Sequence, residues 1–159
     1  MTYKMKLKTP TKLIFITIGI NLIIASLIFL SIIDFDLQEF FKFVFSLFIN
    51  LLIGIIGLYC IGYLIGQNLY KIQNSNKKFS LFQGILVVFA ILIFGALIGS
   101  TVGFLKEGLP NGYEYDLKKE LFDYYIKPIF WILFFGFIPT LISGIILGIK
   151  LKKLPLTTI

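Results

Sequence analysis

Five carboxylates, Glu107, Glu114, Asp116, Glu120 and Asp123, crowd into the stretch 107–123. Glu114, Asp116 and Glu120 are the residue types that hold a divalent cation by oxygen ligation. Their spacing is not that of an EF-hand loop, and Lys118 and Lys119 stand among them. Pairing at i,i+4, Glu114 with Lys118 and Asp123 with Lys127, accounts for the pattern as a solvated helix face. No metal site is assigned. The chain has no His and no Arg: its 15 basic residues are all Lys. Without His, intramembrane metalloprotease and Ser-His chemistry are excluded. Without Arg, the fork that grips phosphate or carboxylate is missing. The remaining polar side chains, Asn21, Asn50, Cys60, Ser100, Thr101, Thr140 and Ser143, sit inside apolar runs. Asn21 and Asn50 read as interhelical hydrogen-bond partners. No ionisable carboxylate, Lys or His lies in the middle of such a run, which argues against proton-coupled transport. No catalytic residue and no cofactor site is assigned.

Glycine supplies the other pattern. Gly84, Gly95, Gly99 and Gly103 fall on one stripe about 100° wide at 100° per residue. Gly62 with Gly66 and Gly144 with Gly148 repeat the four-residue spacing. Small residues so placed let helix backbones approach closely in a membrane. Gly62, Gly66, Gly95, Gly99, Gly103, Gly144 and Gly148 are therefore candidates for helix packing or partner contact. Packing within the chain, an oligomer seam and a pore lining all remain open.

The elements that position these residues follow from composition. The chain is 159 residues long, 58% hydrophobic, with 18 Phe and a mean hydropathy of +0.95. A water-soluble domain of this length buries only roughly 70% of its unfolded surface, too little to hide that much apolar area. Lipid is the solvent implied. Four apolar runs meet the length that spanning demands, at about 13–33, 43–70, 81–105 and 129–149. Thr9 as N-cap with Pro10 at the first helical position opens the first. That run is too long for a signal-peptide core and no cleavage site follows, so it reads as an uncleaved span. Asp36 with Glu39 and Ser80 with Gln83 have capping-box spacing. The second run would make a helix roughly 42 Å long against a core of about 30 Å, so it must tilt, bend or protrude. Pro139 should kink the fourth span.

Gly108, Pro110, Asn111 and Gly112 mark a turn. Beyond it, Leu117, Leu121, Tyr124 and Tyr125 recur at helical spacing. They form the apolar face of an external amphipathic helix at about 114–127, expected to lie along the membrane surface and to end at Pro128. The expected fold is thus all-α: a polytopic membrane protein with four transmembrane helices plus this short helix. Ten Lys and no acid occupy the N-terminus, the 71–78 turn and the tail, whereas five Lys and all eight acids occupy the other two segments. The positive-inside rule then puts both termini in the cytoplasm. A net charge of +7 without a basic groove interleaved with aromatics does not point to nucleic acid.

The glycine-rich end of the second span (GLYCIGYLIGQNLYK), the turn closing in KKFSLFQG and the last span with its tail (GFIPTLISGIILGIKLKK) together resemble a group of small four-span bacterial inner-membrane proteins of unassigned function. The resemblance implies a plasma-membrane location and carries no catalytic residue. The both-ends-inside plan is also similar to that of immunity proteins against pore-forming bacteriocins, by topology alone. The expected role is a non-enzymatic accessory or interaction subunit in the lipid bilayer. It would dock a membrane-protein partner, or a second copy, through the glycine faces or the external loop. A channel or transporter component and an immunity-type protein are the alternatives.

Overall fold

The computed structural model describes residues 8–75, 78–109 and 115–154. Of the residues named above, Pro110, Asn111, Gly112 and Glu114 lie outside the described residues. No strand occurs among those described. The helices are α1 (Thr9–Ile32), α2 (Leu37–Ser46), α3 (Phe48–Asn74), α4 (Leu81–Glu107), α5 (Leu117–Leu121) and α6 (Lys127–Lys152). A π-helical turn, Phe122–Ile126, joins α5 to α6. The segments that include α1, α3, α4 and α6 are each long and apolar enough to cross a membrane. This is an all-α, multi-pass architecture.

The long helices pack as a ring in the order α1, α3, α4, α6 and back to α1, with neighbours antiparallel. That is an up-down-up-down bundle. It brings Lys8, Lys12, Lys71, Lys78, Lys150, Lys152 and Lys153 to one end, the lysine end. All described acids lie at the other, the acidic end.

Local chemistry sets the helix boundaries. Ser80 Oγ accepts from the Gln83 N–H at 3.2 Å, and the Ser80 N–H donates to Gln83 Oε1 at 2.9 Å, a complete capping box that starts α4 at Leu81. At α2, only the Asp36 half forms: Asp36 Oδ1 accepts from the N–H groups of Gln38 and Glu39 at 2.8 and 3.0 Å. At α1 the cap falls on Lys8, not Thr9, and no side chain caps it. Thr9 is already helical, and Pro10 sits within the first turn, where a missing N–H costs nothing. Between α1 and α2 the chain reverses through Asp34 and Phe35 at φ 52° and 60°. The Phe35 N–H donates to the Leu30 carbonyl at 2.8 Å, the six-to-one bond of a Schellman turn.

One expectation about continuity is narrowed and another corrected. Of tilting, bending and protruding, the run 43–70 is interrupted along its length. It breaks at Leu47, with φ −104° and ψ 16°, where the Ser46 hydroxyl donates to the Phe43 carbonyl at 2.8 Å. Conversely, Pro128 does not end the 117–126 helix. Leu121, Phe122, Ile126 and Lys127 bound or flank the π turn, and those flanking it are right-handed helical, so the path runs unbroken into α6. Pro128 has no N–H for the Tyr124 carbonyl and its ring would crowd that oxygen. The wider π turn relieves both. The short helix is therefore an extension of the fourth span, not a separate helix along the surface. The α6 helix also continues through Pro139.

The nine large apolar side chains that are buried are Ile14, Ile18, Leu69, Phe79, Val87, Val88, Ile91, Leu147 and Leu151. Each lies in the lysine-end half of its helix or just before it. Glycine explains why this half closes. A Cβ on Gly66 would come 2.7 Å from Thr11 Cα, one on Gly144 2.8 Å from Ile85 Cα, and one on Gly148 2.6 Å from the Leu81 carbonyl oxygen. Backbones this close admit no side chain between them. Toward the acidic end, α1 and α6 part.

Candidate binding groove and external stalk

The parting of α1 and α6 leaves a groove of about 390 Å³. Phe29 and Ile32 from α1, Phe43 from α2, and Trp131, Phe135 and Pro139 from α6 form much of its wall. Its floor lies at mid-height, at Asn21, Ala25, Leu92 and Thr140. The same four residues line a smaller inner cavity of about 90 Å³ that continues toward Ile14 and Leu147. No charged side chain lines either space. The aromatic wall is ordered by its own contacts: the Phe29 and Phe43 rings are 4.5 Å apart, and Trp131 stacks on Phe135 at 5.8 Å.

A polar clasp holds the floor. Asn21 Nδ2 donates to Ser143 Oγ at 2.9 Å and to the Thr17 carbonyl at 2.8 Å. Ser143 Oγ lies 3.0 Å from the Thr140 carbonyl oxygen and 3.2 Å from Asn21 Oδ1. Asn21 is thus an interhelical partner, as expected from its type. Asn50 differs: its Oδ1 is buried without a hydrogen-bond partner.

The second feature is the stalk formed by α5 and the π turn. The Tyr125 hydroxyl donates to Thr101 Oγ1 at 3.1 Å, and Thr101 Oγ1 donates to the Leu97 carbonyl at 2.8 Å. The Tyr124 and Tyr125 rings pack on Phe104 with centroids 6.0 and 5.9 Å apart. Tyr115 reaches back to the Gly108 carbonyl at 3.0 Å. Asp123 pairs with Lys127, as the i,i+4 spacing implied. Leu117 and Leu121, placed on the same apolar face, do not join the tyrosines against α4: they are 52% and 42% exposed. Tyr124 lies beside Gly103 and Gly108, level with the last turns of α4. Leu121 and Leu117 precede it by three and seven residues, so they stand roughly 4–10 Å farther out.

The glycines divide between neighbours. Gly62 meets Ile14 and Ile18, and Gly66 meets Thr11, all on α1. Gly144 and Gly148 face the start of α4, where Gly84 faces them in return. Gly95 faces Leu58 of α3, and Gly103 faces Tyr124 and Asn50. The stripe on α4 therefore serves α6 at one end and α3 at the other, because crossing helices pass a straight stripe from one partner to the next. Gly99 is different: a Cβ there would meet nothing within 4 Å.

Sequence reasoning did not find the groove or the tyrosine clasp. It also missed Lys8, whose Nζ sits 4.1 Å from the Tyr70 ring centroid. Among the described residues no group of three or more Cys, Asp or Glu is placed to hold a metal ion. No family model, no curated protein and no solved structure matches the chain.

Proposed function

We propose that this chain is a non-enzymatic interaction subunit of a bacterial inner membrane, with both termini cytoplasmic and the acidic end outside. The ten-to-five division of lysines supports the orientation, and the resemblance to small four-span bacterial proteins supports the location. The docking element is the external stalk. The observation that carries this reading is the exposure of Leu117 and Leu121 on a helix that projects beyond α4. The Tyr125–Thr101 bond holds that helix in place. Two leucines at i,i+4 on a rigid helix are the anchors that an apolar groove on a partner protein takes up. Six of the seven candidate glycines already face this chain's own residues, which moves docking to the stalk. At the lysine end Ile14, Ile18, Val88, Ile91 and Leu147 are buried around an inner cavity of only about 90 Å³, which favours docking over a solute pathway.

A photoreactive residue placed at 121 and activated in native membranes tests the reading. A discrete protein adduct is expected, and Leu117→Glu should abolish it. An adduct of twice the chain mass would identify the partner as a second copy. Labelling of lipid alone would overturn the proposal.

A further inference from the structure

We propose that the groove between α1 and α6 holds one acyl chain of a membrane phospholipid from the leaflet at the acidic end. The groove lies between two spanning helices, α1 and α6. Its lining carries no charge, so what enters must be uncharged along its length. A hydrocarbon chain meets that condition. Length selects the kind of chain. From Trp131 at the mouth to Thr140 at the floor is nine residues of α6, roughly 14 Å. Half of a hydrocarbon core is about 15 Å. A chain of single-leaflet depth fits with its headgroup beside Trp131, at the level where indole rings sit. Its terminal methyl reaches the Asn21–Ser143 clasp, with the inner cavity beyond as slack. A polyisoprenoid would be far longer than the groove. This inference does not depend on the stalk reading, since the two sites share no residue.

Reconstitution tests it. The full chain is placed in phosphatidylethanolamine–phosphatidylglycerol vesicles with a trace of phospholipid carrying a diazirine midway along one acyl chain. Adducts at Ala25, Leu92 and Gly136 should exceed those at Ile49 and Leu52, which are exposed on α3 and line no pocket, by roughly tenfold. A Cβ on Gly136 would meet only Thr140 Oγ1 and Leu92 Cδ2, at 3.8 and 3.9 Å. Gly136→Ala should therefore keep the groove adducts, and Gly136→Phe should remove them while leaving those on α3. If Gly136→Phe fails to fold, Ala25→Phe blocks the groove from the opposite wall. Labelling spread evenly over every lipid-facing helix would overturn the proposal. So would groove labelling unchanged in the folded Phe variants, or extraction of a polyisoprenoid in place of phospholipid from the purified protein.

Discussion

Asn21 of α1 and Ser143 of α6 are joined by a hydrogen bond of 2.9 Å across the middle of the bundle, although 122 positions separate them in the chain. Ser143 has a single proton. When it donates to the Thr140 carbonyl, its oxygen still accepts from Asn21, so both side chains are served within the bundle. Such bonds in a membrane contribute about 0.6 kcal/mol on average and up to about 1.7. Asn21→Leu and Ser143→Ala should each destabilise the fold by about 1 kcal/mol. A double-mutant cycle, read by reversible unfolding in bicelles, should show coupling of about 0.5 kcal/mol or more. Additive effects would mean the bond contributes nothing.

Glycine substitutions should divide sharply by position. A methyl on Gly148 would lie 2.6 Å from the Leu81 carbonyl oxygen, with backbone on the far side that cannot yield. Gly148→Ala should cost about 1–3 kcal/mol. Gly99→Ala meets open space and replaces a poor helix former with the best, so it should be neutral or stabilising by up to about 1 kcal/mol. Thermal unfolding in mild detergent distinguishes the two. Equal losses would contradict the packing described.

The α1–α2 reversal stores strain at Phe35, an exposed bulky residue at φ 60°. Left-handed backbone costs such a residue about 1–2 kcal/mol, and glycine is free of it. Phe35→Gly should therefore stabilise the protein by about 1 kcal/mol, less what glycine's looser unfolded state takes back. A fall in the unfolding midpoint would show instead that the ring contributes contacts of its own.

The stalk should loosen when its clasp is cut. Tyr125→Phe removes only the hydroxyl that bonds Thr101. The expected loss is about 0.5–1.5 kcal/mol, together with a drop in protein adducts from position 121. Unchanged crosslinking would separate the clasp from docking.

Orientation is open to direct labelling. In a Cys60→Ser background, a membrane-impermeant thiol reagent should reach Glu107→Cys from outside intact cells and miss Ser75→Cys. The reverse pattern would invert the topology.

The four spans were legible because length without charge is a one-dimensional signal, and Ser80 with Gln83 marked a boundary through purely local bonds. The break at Leu47 was not legible: no Gly, Pro or charged residue marks it between 43 and 53. At Pro128 the usual reading of proline as a stop failed, since a single π turn absorbs it. The glycine stripe announced close approach but not to which helix. The groove depends on where α1 and α6 separate, a property of the assembled bundle that no window of residues contains.

That every fully packed large side chain lies toward the lysine end grades the molecule along the bilayer normal. Amide exchange should be slowest around Ile14, Val88 and Leu147 and quicken toward Trp131 and Phe29, because opening there breaks fewer buried contacts. The frame acts as a tweezer, with its jaws free to breathe while its spring stays shut.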